Sequence, residues 1–362
     1  MQTPWTLIIN VTSVTPPIVI AGLSPLLRLA LDAERAGATA LVLNGGGATL
    51  RACFSDPRLK LTLCNEAPQG QPRVTVPAHW VLHRRTFASM NLNAVPSGGT
   101  IGVPENLCPD MAFAFAPVAV VDPTSAKMAE RLLFRSLRKA EDGWTSRWLN
   151  RYISLSISRW LAKTSILPNQ LSVVILAIGL YGAYLASRGD YLSMVVGATL
   201  FQLQSILDGC DGELSRITYR GSLLGEWLDT VGDDITNYSF FVGAALGLYR
   251  STGSPLYLVV GSVMLLSGLI GSGFEYRYLI RIGSGDLLKY PLSQATSKRQ
   301  GKFGFIAPLF KRDTFVFLTL VAAVLNVVGG ALVAFAIGAV GVLVSVLLTE
   351  RRMAKEGKAR NL

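Results

Sequence analysis

The sequence is poor in the residues that build several common kinds of site. Its 362 residues include only four cysteines and two histidines. No two cysteines have the CxxC spacing, so the pattern predicts neither a disulfide framework nor a zinc site. His79 and His83 lie among apolar residues without a further ligand nearby. Packing is therefore the better interpretation of both histidines.

Long apolar runs are scarce in the first half of the chain, although half of all residues are hydrophobic. No basic segment followed by an apolar stretch opens the sequence, so we expect no cleavable signal peptide. We interpret residues 1–165 as a water-soluble region and residues 166–350 as a membrane domain. Residues 351–362 are predicted to form a basic cytoplasmic tail.

Acidic residues are also in deficit, with 23 Asp and Glu against 34 Lys and Arg and a formal net charge of +11. Such a balance is compatible with nucleic-acid binding, but the basic residues cluster next to apolar segments. That placement favours cytoplasmic loops and an anionic lipid surface. We therefore predict the lipid bilayer as a partner and no nucleic acid.

Six apolar segments are long enough, or nearly so, to span a bilayer as helices. They are residues 168–187, 191–214, 223–249, 255–279, 312–328 and 330–349. Basic residues concentrate in the loop after the fourth segment and in the tail, so the positive-inside rule places both termini in the cytoplasm. We predict an all-α, multi-pass domain in the inner (cell) membrane.

Four aspartates lie at the predicted cytoplasmic edge of this domain: Asp208, Asp211, Asp229 and Asp233. Residues three or four positions apart share one face of a helix, so each pair points in one direction. Two helices joined by a turn near Tyr219–Leu223 would aim all four carboxylates at one point. So much negative charge needs a counterion, and oxygen ligands select a hard ion such as Mg²⁺ or Mn²⁺.

The spacing around the aspartates resembles the signature of the CDP-alcohol phosphotransferases, which are integral-membrane enzymes of phospholipid synthesis. The family pattern is D-x2-D-G-x2-A-R-x8-G-x3-D-x3-D. Residues 208–233, called the signature below, match seven of its eight fixed positions, and Ser215 replaces the alanine. The alternative is that the aspartates are simply the charged ends of two membrane helices at the lipid surface. Such ends would not require this spacing and would favour Lys and Arg over Asp.

The resemblance implies a role for each signature residue. Asp208, Asp211 and Asp229 would bind metal, and Asp233 would complete the metal site and act as general base. Two Mg²⁺ or Mn²⁺ ions are implied, to stabilise the attacking and leaving oxygens. The nucleotide would contact Asp208, Asp211 and five further residues that are small, basic or amide-bearing: Gly212, Ser215, Gly225, Arg216 and Asn169. Asn169 lies in the sequence LPNQLS, which resembles the family's TPN-x-LT start of the first membrane helix.

A basic loop precedes the fifth predicted span. Its Gly301–Lys302 pair resembles a family GK motif, and we predict that Lys298, Arg299 and Lys302 bind a phosphate of the acceptor. The positive-inside rule alone would also produce a basic loop here. A role in membrane topology only therefore stays open as the simpler interpretation.

Residues 1–140 alternate short apolar runs with helical patterns, which favours an α/β domain. Ser24–Ala36 has a Ser at the N-cap and Pro at N1, and a buried strand follows. This region resembles the sugar nucleotidyltransferases, but residues 11–18 lack the Gly, Arg and Lys that hold nucleotide phosphates in that family. We expect a degenerate, inactive nucleotidyltransferase-like domain. Its deletion should leave the chemistry at the aspartates, provided that the helix at residues 141–165 is kept.

Residues 141–165 alternate aromatic and basic residues, which predicts an amphipathic junction helix in the membrane interface. An ordinary packed helix between domains is the alternative. A nucleotidyltransferase-like domain ahead of a membrane domain is similar to the fused enzymes that make inositol phosphodiesters, whose acceptor is an inositol phosphate.

The sequence therefore predicts Mg²⁺-dependent transfer of a phosphatidyl or inositol-phosphate type group from a CDP-alcohol donor to a hydroxyl acceptor, with release of CMP. Because the first domain lacks the phosphate-binding residues, the donor would be made elsewhere. The family resemblance also implies a homodimer. One alternative is a bifunctional enzyme that also makes its donor from CTP. Another is a cation transporter that uses the aspartates as an ion site, although no inverted repeat is visible.

Overall fold

The computed structural model describes residues 4–11, 18–83, 86–87, 90, 95–96, 98–102, 118–138, 145–298 and 312–360, without the side chains of residues 49, 295–298 and 356–360. The chain divides into two compact units. The sheet unit comprises Met1–Lys139, Arg159–Ser165 and Arg216–Arg220. The helical unit comprises Ala140–Ser158, Ile166–Ser215 and Gly221–Leu362. This division does not test the predicted domain bounds, which stay predictions.

The sheet unit is built on a parallel sheet of five strands. In chain order its strands are β1 Trp5–Asn10, β2 Ala38–Asn44, β3 Thr62–Cys64, β4 Arg73–Pro77 and, after a short strand β5 Trp80–Val81, β6 Thr100–Gly102. Their spatial order is β3-β2-β1-β4-β6, and β5 pairs separately with β7 Val118–Ala119. The central strands are apolar on both faces, as expected for a sheet covered on both sides. Trp5, Leu7, Leu41 and Val74 are all buried in its core.

Within the described residues of this region, three helices accompany the strands: α1 Pro25–Arg35, α2 Ala48–Ala52 and α3 Pro123–Arg135. Helix α1 begins as its sequence predicts, because the Ser24 hydroxyl accepts a hydrogen bond from the backbone N–H of Leu27 and proline occupies the first turn. Strands and helices alternate in this part of the chain, so the predicted α/β class is confirmed.

The described residues from Thr145 onward are mostly helical. Its helices are α4 Arg151–Leu161, which follows a π-helical turn at Ser146–Asn150, then α5 Pro168–Ala186, α6 Tyr191–Thr218, α7 Leu223–Thr252, α8 Leu256–Ile282, α9 Pro291–Lys298, α10 Arg312–Val324 and α11 Val328–Arg360. A short 3-10 turn, Leu287–Lys289, precedes α9. Helix α11 continues through the predicted tail, since the residues there are mostly good helix formers such as Ala, Glu, Lys and Arg.

Three of these helices are long and apolar enough to cross a membrane: Pro168–Ala186, Leu256–Ile282 and Val328–Lys355. Helices α6 and α7 are longer still but carry the acidic residues of the signature. Helix α10 has only 13 residues. Length and composition therefore support three of the six predicted spans.

Small residues bring α5, α6 and α7 together at close range. A Cβ atom added to Gly247 would lie 2.1 Å from the carbonyl oxygen of Ala186, so only glycine allows this approach of α7 to α5. The rings of Phe201 and Phe240 stack with centroids 4.2 Å apart and join α6 to α7. Close packing by small residues is typical of helices in membranes. It fixes the two helices that carry the signature against each other.

Candidate active site

Helices α6 and α7 bring three carboxylates of the signature to one place. One oxygen each of Asp208, Asp229 and Asp233 lies within 4.8 Å of the others. We call these three residues the aspartate cluster. Asp208 comes from α6, and the four-residue spacing of Asp229 and Asp233 puts both on one face of α7. Helix α6 ends and α7 begins on either side of the predicted turn, which is why the two pairs of acids face each other.

Asp211 lines one pocket together with these three residues but has a more enclosed environment. Its side chain is buried, and the Ser172 hydroxyl donates to its Oδ2 atom over 2.5 Å. The backbone N–H of Gly212 donates to its Oδ1 atom. No role for Ser172 is predicted from the sequence, although this residue closes the LPNQLS segment that contains Asn169. Its place on the first turns of α5 was the available signal.

Arg312, the first residue of α10, reaches into the aspartate cluster. Its Nη1 atom donates to Oδ2 of Asp208 over 3.1 Å and also to Oδ2 of Asp233. Nη2 donates to Gln204 over 2.8 Å, and Nε donates to Asn237 over 3.2 Å. From the sequence, Arg312 is only one of the basic residues in the loop after the fourth predicted span. Its contact with the aspartates is not predicted. A guanidinium that bridges two carboxylates stands where the sequence predicts a metal cation.

The donor set fits a hard divalent cation. All the predicted ligands are carboxylate oxygens, which Mg²⁺ and Mn²⁺ prefer over soft metals. The single charge of Arg312 balances at most one of the three carboxylates in the cluster. Asp208, Asp229 and Asp233 are the described residues that lie close enough together to hold a further cation.

Two residues assigned to the nucleotide from the sequence are neighbours. A Cβ atom on Gly225 would lie 2.8 Å from Oδ1 of Asn169 and 3.2 Å from Oγ of Ser222. Ser222 caps α7 by accepting a hydrogen bond from the N–H of Gly225. The glycine of the signature thus leaves room for the Asn169 amide at the start of α7.

The remaining predicted site residues fall in several places. Ser215 is half-buried near the end of α6, and Arg216 opens the segment that belongs to the sheet unit. Lys298 closes α9, and its side chain lies outside the described residues, as do Arg299 and Lys302 altogether. The predicted acceptor residues therefore stay predictions.

Glu213 is an acidic residue of the signature segment that the sequence did not single out. Its side chain is completely buried. Arg151 donates to it over 2.6 Å, Ser154 over 2.8 Å and Ser158 over 2.7 Å. These three donors come from the polar face of α4, which is therefore packed against α6. The side chain of Trp148, just before α4, is 73% exposed.

Comparison with known proteins agrees with this geometry. A family model described as CDP-alcohol phosphatidyltransferase matches residues 165–347, just over half of the chain. The chain is 34% identical over 199 residues to a bifunctional IPC transferase and DIPP synthase of Thermococcus kodakarensis, which is 55% of this chain and 41% of that protein. It is 32% identical over 110 residues to an archaetidylinositol phosphate synthase of Pyrococcus horikoshii, which is 30% of this chain and 56% of that protein. The chain thus matches about half, or less, of the length of these relatives.

A crystal structure of Mycobacterium tuberculosis phosphatidylinositol phosphate synthase with CDP-DAG bound superposes with a TM-score of 0.42 and 19% sequence identity, over 55% of this chain and 93% of that chain. The match to the family model includes the whole signature and α5 to α10. It confirms the resemblance found in the sequence. The chain belongs to the CDP-alcohol phosphatidyltransferase family.

Proposed function

We propose that the chain transfers a phospho-alcohol group from a CDP-alcohol to the hydroxyl group of an acceptor and releases CMP, in phospholipid or polar-lipid synthesis. The approach of Asp208, Asp229 and Asp233 to within 4.8 Å of one another carries this proposal. Family membership supports the class of reaction. Because the donor's pyrophosphate is itself negative, it needs a cation between it and the carboxylates.

In this proposal the four aspartates hold the metal. Mg²⁺ or Mn²⁺, as two ions, supplies charge neutralisation of the transferring phosphoryl group and of the leaving CMP. Asp208, Asp211 and Asp229 act as ligands. Ser172 and the Gly212 N–H hold Asp211 in one orientation, because each donates to a different oxygen of its carboxylate.

Asp233 is the proposed general base, which accepts the proton of the attacking hydroxyl group. Its hydrogen bond from Arg312 orients the carboxylate toward the cluster. Asn169 and Gly225 contribute one wall of the nucleotide site, and Arg216 pairs with a phosphate.

Gly212 and Ser215 keep the same side of the proposed nucleotide site small. Lys298, Arg299 and Lys302 bind a phosphate of the acceptor. An inositol phosphate is the proposed acceptor, since one relative is named as a synthase of archaetidylinositol phosphate.

The proposed setting is the inner membrane. We propose that α5, α6, α7, α8, α10 and α11 all span it, with both termini and the aspartate cluster on the cytoplasmic side. Three of these helices meet the length and composition of a span, and the basic loops support the orientation. A homodimer is proposed from the family resemblance.

The test is an assay of purified full-length protein in lipid nanodiscs with labelled CDP-diacylglycerol or CDP-inositol and a panel of acceptors that includes inositol phosphates. We expect CMP release that requires both an acceptor and Mg²⁺ or Mn²⁺ and that EDTA abolishes. Full activity in metal-free buffer would contradict the site. Turnover of CTP would support the bifunctional alternative, and cation flux without CMP release would support a transporter.

A further inference from the structure

The turn inside the signature, Arg216–Arg220, is part of the sheet unit. Its neighbours on both sides, Ser215 and Gly221, belong to the helical unit. This segment, called the signature turn, joins α6, which carries two of the aspartates, to α7, which carries the other two. Whatever fixes the signature turn therefore constrains both helices through the chain itself.

The last carbonyl groups of α6 accept hydrogen bonds from two arginines of the sheet unit. Arg28 donates to the carbonyl of Ile217 over 3.1 Å, and Arg58 donates to the carbonyl of Thr218 over 2.8 Å. The last four carbonyls of a helix have no partner within the helix, and positive charge there opposes the negative end of the helix dipole. The two arginines thus cap α6.

Both arginines are themselves held in place. Arg28 is only 1% exposed, and its Nη2 atom donates to the carbonyl of Ile20 over 3.0 Å. Arg58 makes two hydrogen bonds to the Asp56 carboxylate, of 2.7 Å and 2.6 Å. Such fixed, bidentate pairing gives Arg58 one orientation toward the turn.

Tyr219, the first residue after α6, is the anchor of the signature turn. Its φ of +58° is uncommon for a bulky residue and costs free energy unless the surroundings hold it. The surroundings do hold it, because the side chain is 9% exposed and packs with three leucines next to or on α1: Leu23, Leu27 and Leu31. The guanidinium groups of Arg28 and Arg35 lie 5.4 Å and 4.5 Å from the ring centroid, within reach of a cation–π interaction.

We infer that Arg28, Arg58 and Tyr219 are positioning residues for transfer, and that the sheet unit acts by fixing the signature turn rather than by binding a nucleotide. This inference rests on the proposed function of the aspartates. It revises the expectation that residues 1–140 can be removed without loss of the chemistry. Even a unit without nucleotide chemistry would contribute in this way, because the register of α6 against α7 decides where the carboxylates meet.

The test compares Arg58→Met and Tyr219→Ala with a matched control, Arg51→Met, in the full-length protein in nanodiscs. Arg51 is an exposed arginine of the sheet unit that bonds to the Asn65 side chain. Three quantities are measured: hydrogen exchange of a peptide spanning residues 214–222, Mn²⁺ affinity, and kcat and KM for CMP release. We expect Arg58→Met and Tyr219→Ala to speed exchange at the turn, weaken Mn²⁺ binding and lower kcat by about 10- to 100-fold, the effect of a displacement near 1 Å.

Arg51→Met should leave all three quantities unchanged. Faster exchange at the turn with normal Mn²⁺ affinity and normal kcat would overturn the inference. If wild-type protein releases no CMP from any donor, the proposed function fails, while exchange and Mn²⁺ affinity still decide about the turn. If Tyr219→Ala does not fold, Arg58→Met decides, because Arg58 is half-buried and its loss leaves the leucine pocket intact.

Discussion

Helix α6 contributes to two acidic centres that are balanced in opposite ways. Glu213 has one arginine and two serine hydroxyls around a single carboxylate, at distances of 2.6 Å to 2.8 Å. In the aspartate cluster one guanidinium, that of Arg312, is shared between Asp208 and Asp233. At Glu213 the negative charge of one carboxylate is balanced by the positive charge of one guanidinium. In the aspartate cluster the single positive charge of Arg312 cannot balance all of the carboxylates.

If the proposed function is right, the difference separates a structural acid from a functional one. A buried carboxylate with enough donors belongs to the packing, and removing either partner leaves an uncompensated charge. A group of carboxylates that share a cation can exchange it for another. Both kinds of acid lie within six residues of the same helix, so position in the signature does not distinguish them.

Asp233→Asn should produce the largest loss of turnover. The amide keeps the size of the carboxylate but cannot accept a proton, so kcat should fall by about 10² to 10⁴ while CDP and metal binding stay nearly normal. Asp211→Asn should instead weaken metal and CDP binding together, with partial rescue at high Mg²⁺. Calorimetry of CDP binding at several Mg²⁺ concentrations separates the two. Equal loss and equal rescue in both variants would make Asp233 a ligand first.

Glu213→Ala should affect stability rather than the chemical step. It leaves Arg151 buried without its carboxylate, which costs about 3–5 kcal/mol when one partner of a buried pair is removed. Thermal unfolding in detergent measures the loss. The double variant Glu213→Leu with Arg151→Met should recover most of it, because no charge is left unpaired. A normal melting temperature for Glu213→Ala would contradict the structural role.

Arg312→Gln should tighten metal binding. Removing the guanidinium frees the Asp208 oxygen and takes a competing positive charge out of the cluster, so Mn²⁺ affinity should rise by about ten-fold, the equivalent of one charge-assisted hydrogen bond of roughly 1.5 kcal/mol. The thermal stability of the protein in EDTA should fall, since the carboxylates lose their counterion. Arg250→Gln is the control, because Arg250 lies at the far end of α7 and donates to the Ser187 carbonyl. Unchanged Mn²⁺ affinity in Arg312→Gln would show that arginine and metal do not compete.

Gly225→Ala should have the smallest effect. The new methyl group would meet Asn169 at 2.8 Å and force the amide to move, so KM for the CDP-alcohol should rise by about five-fold, or roughly 1 kcal/mol of overpacking. Gly271→Ala on α8 is the matched control, because a Cβ there meets no described atom within 4 Å. Equal KM values for the two variants would remove Asn169 from the nucleotide site.

Features that depend on local pattern can be read from the order of the residues alone. Ser24 and Pro25 marked the start of α1, and the apolar runs marked the long helices, because caps and periodicity are properties of neighbouring residues. The fixed spacing of the four aspartates identified the family and predicted that two helices would bring acids together. Helix geometry converts spacings of three and four residues into a shared face, so this prediction needed no tertiary information.

Contacts between residues that are distant in the sequence become visible only when the chain is folded. Arg312 lies 104 positions from Asp208, and Arg28 lies 189 positions from Ile217, yet each pair is joined by a hydrogen bond. Nothing in the spacing of a sequence fixes such pairs, because they depend on how whole helices and units pack. For the same reason the sequence could not show that Glu213 is neutralised by α4, or that the signature turn folds with the sheet unit. A carboxylate or a helix end that is buried needs a hydrogen-bond partner in place of water. The packing of distant segments brings that partner to it.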